Sequence, residues 1–406
     1  MGKPRKSPRD LARYHERARR HGVNRAVYWI ARAVLQPAMR IWFRLERHGR
    51  ENIPRTGPVI LAANHRSFLD PFVVGVCLRR PVYFVAKQEL FEPRWQGWLL
   101  NALGAFPVRR GESDEDAVET SKRILARGDA VVIFPEGTRI RSGSLAEPKR
   151  GVGRLALETG APVVPIALAG TERTRRGLVI RPVKVRARCG RPLTFPRVES
   201  ASPSLAARVT ERIWPCVELQ WEWLGGLPAM RKAAVVGAGA MGTSLAAVLA
   251  RAGLDVQLAC RTAAQAERLA GASSPDGVTP CTVADLEPAG LDLLVVATPL
   301  AALPSVVARL GDSIGARTTI VLPVRGELGP HAVPAARHLG ERTGAAAVAC
   351  LAVPDGAAAF ADGGARAELD CADVDRRRQL EEALERAGVA LGARAADAPE
   401  PLRRAA

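Results

Sequence analysis

The sequence has little lysine, few aromatic residues and no paired cysteine motif. Of its 59 basic residues only Lys3, Lys6, Lys87, Lys122, Lys149, Lys184 and Lys232 are lysine, so nearly all positive charge is arginine. Aromatic residues make up 5% of the chain and no nucleic-acid motif accompanies them, which counts against a nucleic-acid partner. The seven cysteines (77, 189, 216, 260, 281, 350 and 371) form no CxxC pair, and the six histidines show no metal-ligand spacing. That argues for a reduced chain without a zinc site. No stretch reaches the roughly 18 apolar residues that a transmembrane helix needs. The best apolar run, Leu293 to Ala308, contains Pro299 and Pro304. The N-terminus is basic but lacks the apolar run and cleavage site of a signal peptide.

What is present is globular. The chain has 406 residues, 47% of them hydrophobic and 25% charged, with a mean hydropathy of −0.01. Two or three domains are expected for this length. The formal net charge is +18. Nucleic acid, a membrane surface or an anionic substrate would each suit it. The charge is unevenly spread. Residues 1–230 hold 41 basic and 21 acidic groups, whereas residues 231–406 hold 18 and 20. The first fifty residues alone hold 14 and 3.

Residues 1–22 form a polar basic arm, and 25–45 an amphipathic helix. At roughly 100° per residue, Arg25, Arg32, Arg40 and Arg44 share one side, with Trp29 and Phe43 near them. Val27, Ile30, Val34, Ile41 and Leu45 cluster opposite. Pro37 is expected to kink or split this helix. A basic face flanked by aromatics suits a helix lying in a lipid interface. A surface helix packed on its own domain would show a similar pattern.

From residue 57 to about 224, strand-like and helix-like runs alternate as in an α/β domain. The strand candidates are Val59–Ala63, Val82–Ala86, Ala105–Val108, Ala130–Phe134, Val163–Leu168 and Leu178–Ala187. Helices are expected over 67–79, 94–103, 114–127, 151–159 and 203–224. Gly225-Gly226-Leu227-Pro228 is a linker signal. A second domain opens at Arg231 with strand Ala233–Val236, a Gly-rich turn, helix Met241–Ala252 and strand Val256–Ala259. Further strands are expected at Leu293–Ala297 and near Thr319–Leu322. The last 35 residues read as helical and then frayed.

Two segments follow apolar strands and carry chemistry. In Asn64-His65-Arg66-Ser67-Phe68-Leu69-Asp70, Ser67 and Asp70 have the spacing of a capping box. Asp70 could equally orient His65 and stabilise its protonated form, leaving His65 to take a proton from a hydroxyl. In Phe134-Pro135-Glu136-Gly137-Thr138-Arg139, a glycine turn and an arginine make a fair anion site, although such turns are more often solvated. Gly104 to Gly111 contains Arg109 and Arg110. Lys149-Arg150-Gly151 and Val163-Val164-Pro165-Ile166 come later.

Together these segments resemble the glycerophospholipid acyltransferases, above all the 1-acylglycerol-3-phosphate (lysophosphatidate) acyltransferases, over roughly residues 50–200. The resemblance implies His65 as catalytic base with Asp70 as its partner. It implies Arg110, Glu136, Gly137, Thr138 and Arg139 at the substrate phosphate, and Phe106 and Pro165 at the acyl site. The Phe-Pro-Glu-Gly-Thr-Arg form implies a lysophosphatidate acceptor rather than glycerol 3-phosphate. Acyl transfer of this kind needs no cofactor. Acyl-CoA or acyl carrier protein is the co-substrate.

Gly237-Ala238-Gly239-Ala240-Met241-Gly242 fits GxGxxG between a strand and a helix, the context of a dinucleotide fingerprint. Gly237, Gly239 and Gly242 are the expected cofactor-binding glycines. Where NAD enzymes place an acid, this chain has Arg261 and Thr262, which favours NADP over NAD. This stretch, with Leu293–Pro299 and Val324-Arg325-Gly326-Glu327, resembles the N-terminal domain of bacterial glycerol-3-phosphate dehydrogenase. In that family's pattern a lysine stands at position 325, and Lys232 is the only lysine after the linker. No helical substrate domain follows before residue 406. Arginine keeps the charge of lysine but not its proton chemistry, so this half is expected to bind a nucleotide or be vestigial.

The expected architecture is a glycerophospholipid-acyltransferase α/β domain followed by a Rossmann-like parallel-sheet domain. Residues 1–48 are the arm and membrane-surface segment, 49–224 the acyltransferase domain and 225–230 a linker. Residues 231–395 are the NAD(P)-binding domain and 396–406 a disordered tail. The expected function is acylation of lysophosphatidate to phosphatidate at the cytoplasmic face of the cell membrane. The partners are anionic lipid, an acyl thioester and, as one donor, acyl carrier protein. No metal and no nucleic acid are expected. The alternative is a bifunctional glycerol-3-phosphate dehydrogenase and acyltransferase. A non-enzymatic membrane or nucleic-acid binder ranks last.

Overall fold

The computed structural model describes residues 8–109, 114–177, 179–271, 276–323, 327–328, 333–360 and 365–392. Arg110, Val324 to Gly326 and the tail 396–406 lie outside the described residues. The chain divides into two compact units, Met1–Pro228 and Ala229–Ala406.

The first unit runs α1 (Pro8–Arg20), α2 (Arg25–Ile41), β1 (Glu46–His48), β2 (Val59–Ala63), α3 (Asp70–Cys77), β3 (Val82–Lys87), α4 (Arg94–Ala102), β4 (Ala105–Val108) and α5 (Glu115–Ala126). It continues with β5 (Ala130–Ile133), α6 (Gly151–Thr159), β6 (Val163–Ala169), β7 (Arg175–Arg176), β8 (Val179–Ile180), β9 (Arg186–Cys189) and α7 (Pro203–Trp223). The main sheet has the order β1-β9-β6-β2-β5-β3-β4. Among the described residues only the β6–β9 pair in it is antiparallel. β2 and β6 are buried along their whole length, as befits central parallel strands covered on both faces.

Alternation along the strands separates two apolar layers. Val59, Leu61, Ala63, Val164, Ile166 and Leu168 face α3 through Val73, Val74 and Cys77. Ile60, Ala62, Val163 and Ala167 face α5, α6 and α7 through Ile124, Leu155 and Ile213. Because β2, β3 and β5 run parallel, the loops after them emerge at one edge of the sheet.

Three local expectations are revised. Leu178–Ala187 is not one strand: Arg181 and Pro182 interrupt it between β8 and β9, since proline offers no N–H to a ladder. α3 starts at Asp70 rather than 67, and of the expected capping box one half forms, the Asp70 carboxylate accepting from Ser67 N at 2.7 Å. α2 is one helix through Pro37 and ends at Ile41. Its orientation is the larger surprise. Arg32, from the basic side, is buried and donates to the carbonyls of Gly75 and Leu78 at the end of α3. The apolar side is turned out: Ile30, Val34 and Ile41 are 67%, 66% and 76% exposed, beside exposed Trp29 and Trp42.

The second unit runs β10 (Lys232–Val236), α8 (Ala240–Arg251), β11 (Asp255–Cys260), α9 (Ala263–Gly271), β12 (Val278–Thr282), β13 (Leu293–Val296), α10 (Leu303–Leu310) and β14 (Thr319–Leu322). After these come β15 (Glu327–Leu328), β16 (Val333–Pro334), α11 (Ala335–Arg342), β17 (Ala347–Ala352), β18 (Arg366–Cys371), α12 (Val374–Arg386) and β19 (Ala390–Leu391). Its sheet order is β12-β11-β10-β13-β14-β17-β18-β19, and among the described residues only β17–β18 is antiparallel in it. The order reverses at β10, between β11 and β13. That is the switch point at which such sheets bind ligands.

Candidate active site

His65 lies two residues beyond β2, and its ring Nδ1 is 2.8 Å from Asp70 Oδ2. Asp70 is fully buried at the first position of α3. The same Oδ2 accepts from Arg66 N at 2.6 Å and Ser67 N at 2.7 Å. Three donors on one oxygen fix the loop and the carboxylate together, while Oδ1 has no partner among the described residues. With Nδ1 donating to a carboxylate, Nε2 is the nitrogen free to act as base. The ring stacks on Phe134 from the next loop, 4.3 Å between centroids and 25° between planes.

The loop after β5 is tied to His65 through backbone bonds. Glu136 is almost fully buried, accepting from His65 N through Oε2 and from Ala146 N through Oε1 at 3.1 Å. Burial pushes its carboxyl up to about 7, against the two N–H donors and the nearby Arg66 charge that favour the anion. Both oxygens are therefore committed to backbone. The geometry makes Glu136 the brace between the two motif loops, not a group that meets a phosphate. Ile140 N completes the tie by donating to His65 O at 2.8 Å.

Gly137 closes the turn with its N–H on Phe134 O at 3.0 Å. It sits at φ +70°, where a side chain is strained. The end of the Lys149 side chain lies 3.1–3.2 Å from where a Gly137 Cβ would stand. Thr138 and Arg139 are exposed, as are Arg141, Lys149 and Arg150. A basic rim thus surrounds the turn. Lys149 belongs to that rim, and Lys87 is the exposed last residue of β3 at the same sheet edge. Sequence reasoning gave neither a role. Arg110 lies outside the described residues.

Arg66 was likewise missed. It is almost fully buried, donates to Gly143 O at 3.2 Å and places its guanidinium 4.6 Å over the Trp221 ring. The two residues expected at the acyl site are not brought to His65. Phe106 packs in the opposite layer, 6.1 Å from the His15 ring. Pro165 also faces that layer, beside Gly190 and Gln220 of α7. On the His65 side, an apolar cavity of about 420 Å³ is lined by Leu35, Met39, Phe43, Phe68, Leu69 and Ile180, among others.

In the second unit, Gly237 adopts φ +110° at the end of β10. A Cβ at Gly242 would stand 1.8 Å from Gly237 O, whereas Gly239 has open space where a side chain would be. These are the close packing and the free backbone approach that a pyrophosphate cradle requires. α8 begins at Ala240 with no side chain capping it, so its N-terminus is disposed toward an anion. The buried Thr298 hydroxyl, beside Gly237 across the switch point, has no partner among the described residues. Arg261 is exposed immediately after β11. The residues present therefore fit a dinucleotide. Among the described residues no group of His, Cys, Asp or Glu could hold a metal ion.

A His–Asp pair thus stands beside a basic turn at the carboxyl edge of a parallel sheet, an arrangement able to take a proton from a hydroxyl. Residues 44–169 match the family model described as Acyltransferase. Residues 233–358 match the model described as Ketopantoate reductase PanE/ApbA. The chain is 34% identical over 133 residues to a chloroplastic 1-acyl-sn-glycerol-3-phosphate acyltransferase of Brassica napus, covering 32% of this chain and 38% of that one. It is 34% identical over 124 residues to the 1-acyl-sn-glycerol-3-phosphate acyltransferase of Bacillus subtilis, covering 30% and 61%. The chain thus spans less than two thirds of the length of these relatives. Among solved structures, the glycerol-3-phosphate dehydrogenase of Coxiella burnetii is 22% identical, covering 40% of this chain and 54% of that one with a TM-score of 0.37. The chain thus joins a stretch that matches an acyltransferase model to a unit with a Rossmann-like parallel sheet.

Proposed function

We propose that the first unit transfers an acyl group from a thioester, acyl-CoA or acyl carrier protein, to the free hydroxyl of lysophosphatidate, giving phosphatidate. The reading is carried by the His65–Asp70 pair beside a basic turn, in a stretch similar to acyltransferases of that acceptor. His65 Nε2 takes the hydroxyl proton as the oxygen attacks the thioester carbonyl. Asp70 stabilises the imidazolium that forms. Collapse of the tetrahedral adduct breaks the C–S bond, and the proton passes from His65 to the departing thiolate. A placed base of this kind contributes roughly 10²–10⁴-fold. Arg139, with Lys149 and Arg110, holds the acceptor phosphate and sets the hydroxyl near Nε2. The acyl chain lies in the apolar cavity beside Phe68 and Leu69.

The exposed apolar side of α2 supports a peripheral seat on the cytoplasmic face of a membrane, with the basic arm meeting anionic lipid. The second unit serves as an accessory site for NADP or NAD. Gly237, Gly239 and Gly242 would cradle the pyrophosphate, and Arg261 favours the 2′-phosphate of NADP. The nucleotide would supply hydride chemistry, but Arg325 in place of a lysine argues for binding rather than turnover.

The test is direct. Purified protein is incubated with lysophosphatidate, glycerol 3-phosphate or other lysophospholipids plus an acyl thioester, and the products are identified. Phosphatidate is expected from lysophosphatidate. Acylation of glycerol 3-phosphate alone would overturn the acceptor assignment. His65→Ala should abolish transfer in a folded protein, and a folded variant with near-normal rate would remove His65 as base.

A further inference from the structure

α4 carries an apolar side that its own unit leaves uncovered. Trp95, Trp98 and Leu99 are spaced three and four residues apart, so they share one side of the helix. All three are exposed, the two indoles by 70% and 48%. The opposite side, with Gly97 and Asn101, is buried, and it holds α4 in place. A Cβ on Gly97 would stand 2.5 Å from the Tyr14 hydroxyl oxygen, so the glycine is what lets α1 pack this closely. Asn101 Nδ2 donates to Tyr14 O at 3.1 Å and to Ala105 O at 2.9 Å. The helix is thus seated through its small and polar residues while its large apolar ones face outward. An exposed apolar side with a polar rim marks a surface for a partner.

Two observations say which partner. The first is charge. Trp98 lines a cavity of about 340 Å³ together with Arg13 and Arg17 of α1 and Arg94 of α4, and no carboxylate is among the described residues lining it. Glu89 and Glu92 precede α4 but stay out of that lining. Indole rings with guanidinium groups beside them match a bilayer interface, where rings lie at the headgroup level and basic groups meet anionic lipid. The second is direction. Leu35 of α2 and Leu100 of α4 pack against the same apolar layer, on the α3 side of the sheet. The outer sides of both helices therefore point away from that one layer. α2 begins against α4, with Asn24 N donating to Ala102 O at 2.9 Å. Its far end, at Ala38 and Met39, reaches the apolar cavity beside Phe68. The 17 residues between these ends span roughly 25 Å.

We infer that α4 is a second membrane anchor, its indole pair seated at the headgroup level of an anionic bilayer. The inference rests on the membrane-surface reading of the preceding section and deepens it. The apolar side of α2 alone leaves the tilt of that helix free. With α4 held down at its beginning, α2 lies along the surface, and the cavity beside Phe68 at its other end is brought to the lipid.

The full chain is floated with vesicles of phosphatidylcholine and phosphatidylglycerol. Trp95→Gln with Trp98→Gln should lower partition about tenfold or more, from the apolar area that the two rings no longer withdraw from water, with the melting temperature unchanged. Trp95→Phe with Trp98→Phe should restore most of the loss. Leu205→Gln with Leu219→Gln removes exposed apolar groups from α7, on the other face of the sheet, and should leave partition as it is. Arg13→Gln with Arg94→Gln, at exposed positions, should weaken partition into these vesicles and not into pure phosphatidylcholine. Normal partition of the Trp95/Trp98 variant, while serine at Ile30, Val34 and Ile41 of α2 abolishes it, overturns the α4 anchor and keeps the membrane reading. No partition of the wild-type protein overturns both. An equal loss in the α7 control means general adhesion of apolar groups and overturns the anchor as well. Sedimentation without lipid covers the remaining occupant: a dimer that the Trp95/Trp98 variant dissociates gives this face to a second copy of the chain instead.

Discussion

Asp70→Asn separates the charge of the site from its shape. In the wild-type protein one oxygen, Oδ2, accepts from His65, Arg66 and Ser67, and the other is buried without a partner. Asparagine can put its carbonyl oxygen where Oδ2 stands and keep all three donors. Its amide then occupies the place of Oδ1. What is lost is the negative charge facing the imidazolium. With charge centres roughly 4 Å apart and an effective dielectric of about 20, that attraction is about 4 kcal/mol. The neutral hydrogen bond that remains returns about 1 kcal/mol. The net loss of about 3 kcal/mol corresponds to a fall in kcat of about 10²-fold. KM for the acceptor should stay near wild type, because Asp70 does not reach the phosphate. The buried amide N–H should lower stability by about 1–3 kcal/mol, so urea unfolding is measured on the same samples. Initial rates of thiol release with saturating lysophosphatidate give kcat. A folded variant with kcat within roughly threefold of wild type would refute electrostatic stabilisation of His65 by Asp70.

Burial lifts the Glu136 carboxyl to about 7, so the neutral form is the one the fold favours. Its contribution is full below the ordinary carboxyl range and is lost as pH rises through about 7, on the order of 3 kcal/mol in all. Urea curves at low and neutral pH should show that slope in the wild-type protein and not in Glu136→Gln; identical slopes would exclude Glu136 as its source. In the second unit, Gly242→Ala would drive a methyl into Gly237 O. It should eliminate NADPH binding measured by nucleotide fluorescence, while Arg261→Ala should weaken NADPH about tenfold and spare NADH. No change in fluorescence with either nucleotide on the wild-type protein would favour a vestigial domain. Replacing Ile30, Val34 and Ile41 of α2 by serine should lower vesicle partition more than tenfold, since burying each such side chain is worth about 1.5–3 kcal/mol. Unchanged flotation would mean that this face does not enter lipid.

The central strands were legible because β2, β5 and β6 are continuous apolar runs between punctuating residues. The His65–Asp70 pair was legible because both residues sit on one short loop, where spacing alone brings them together. Facts that depend on long-range packing were not legible. Periodicity places Arg32 with the other arginines of α2, but the open carbonyls at the end of α3 draw it inward and turn the apolar stripe out. Arg66 gives no local sign that Trp221, far along the chain, will cover it. Phe106 and Pro165 were assigned by motif, whereas strand alternation sends them to the layer away from His65. β17 and β18 escaped notice because half of β17 is alanine, a weak strand former, and half of β18 is charged. Lys149 becomes visible only when the loop carrying it folds back over Gly137.

The short helix α3 ties two distant events. At one end Asp70 holds His65. At the other, the Gly75, Val76 and Leu78 carbonyls are held by Arg32 of α2 and by Arg47. Its eight residues make a rod of roughly 12 Å, along which a displacement of α2 at one end would be carried to the Asp70 carboxylate at the other. Linkage makes any such effect reciprocal. Whatever factor docking of α2 on a bilayer adds to the affinity for acceptor, bound acceptor adds to the affinity for the bilayer. The loaded protein would then dwell on the surface longer than the empty one, and release of product would also loosen its hold on the membrane.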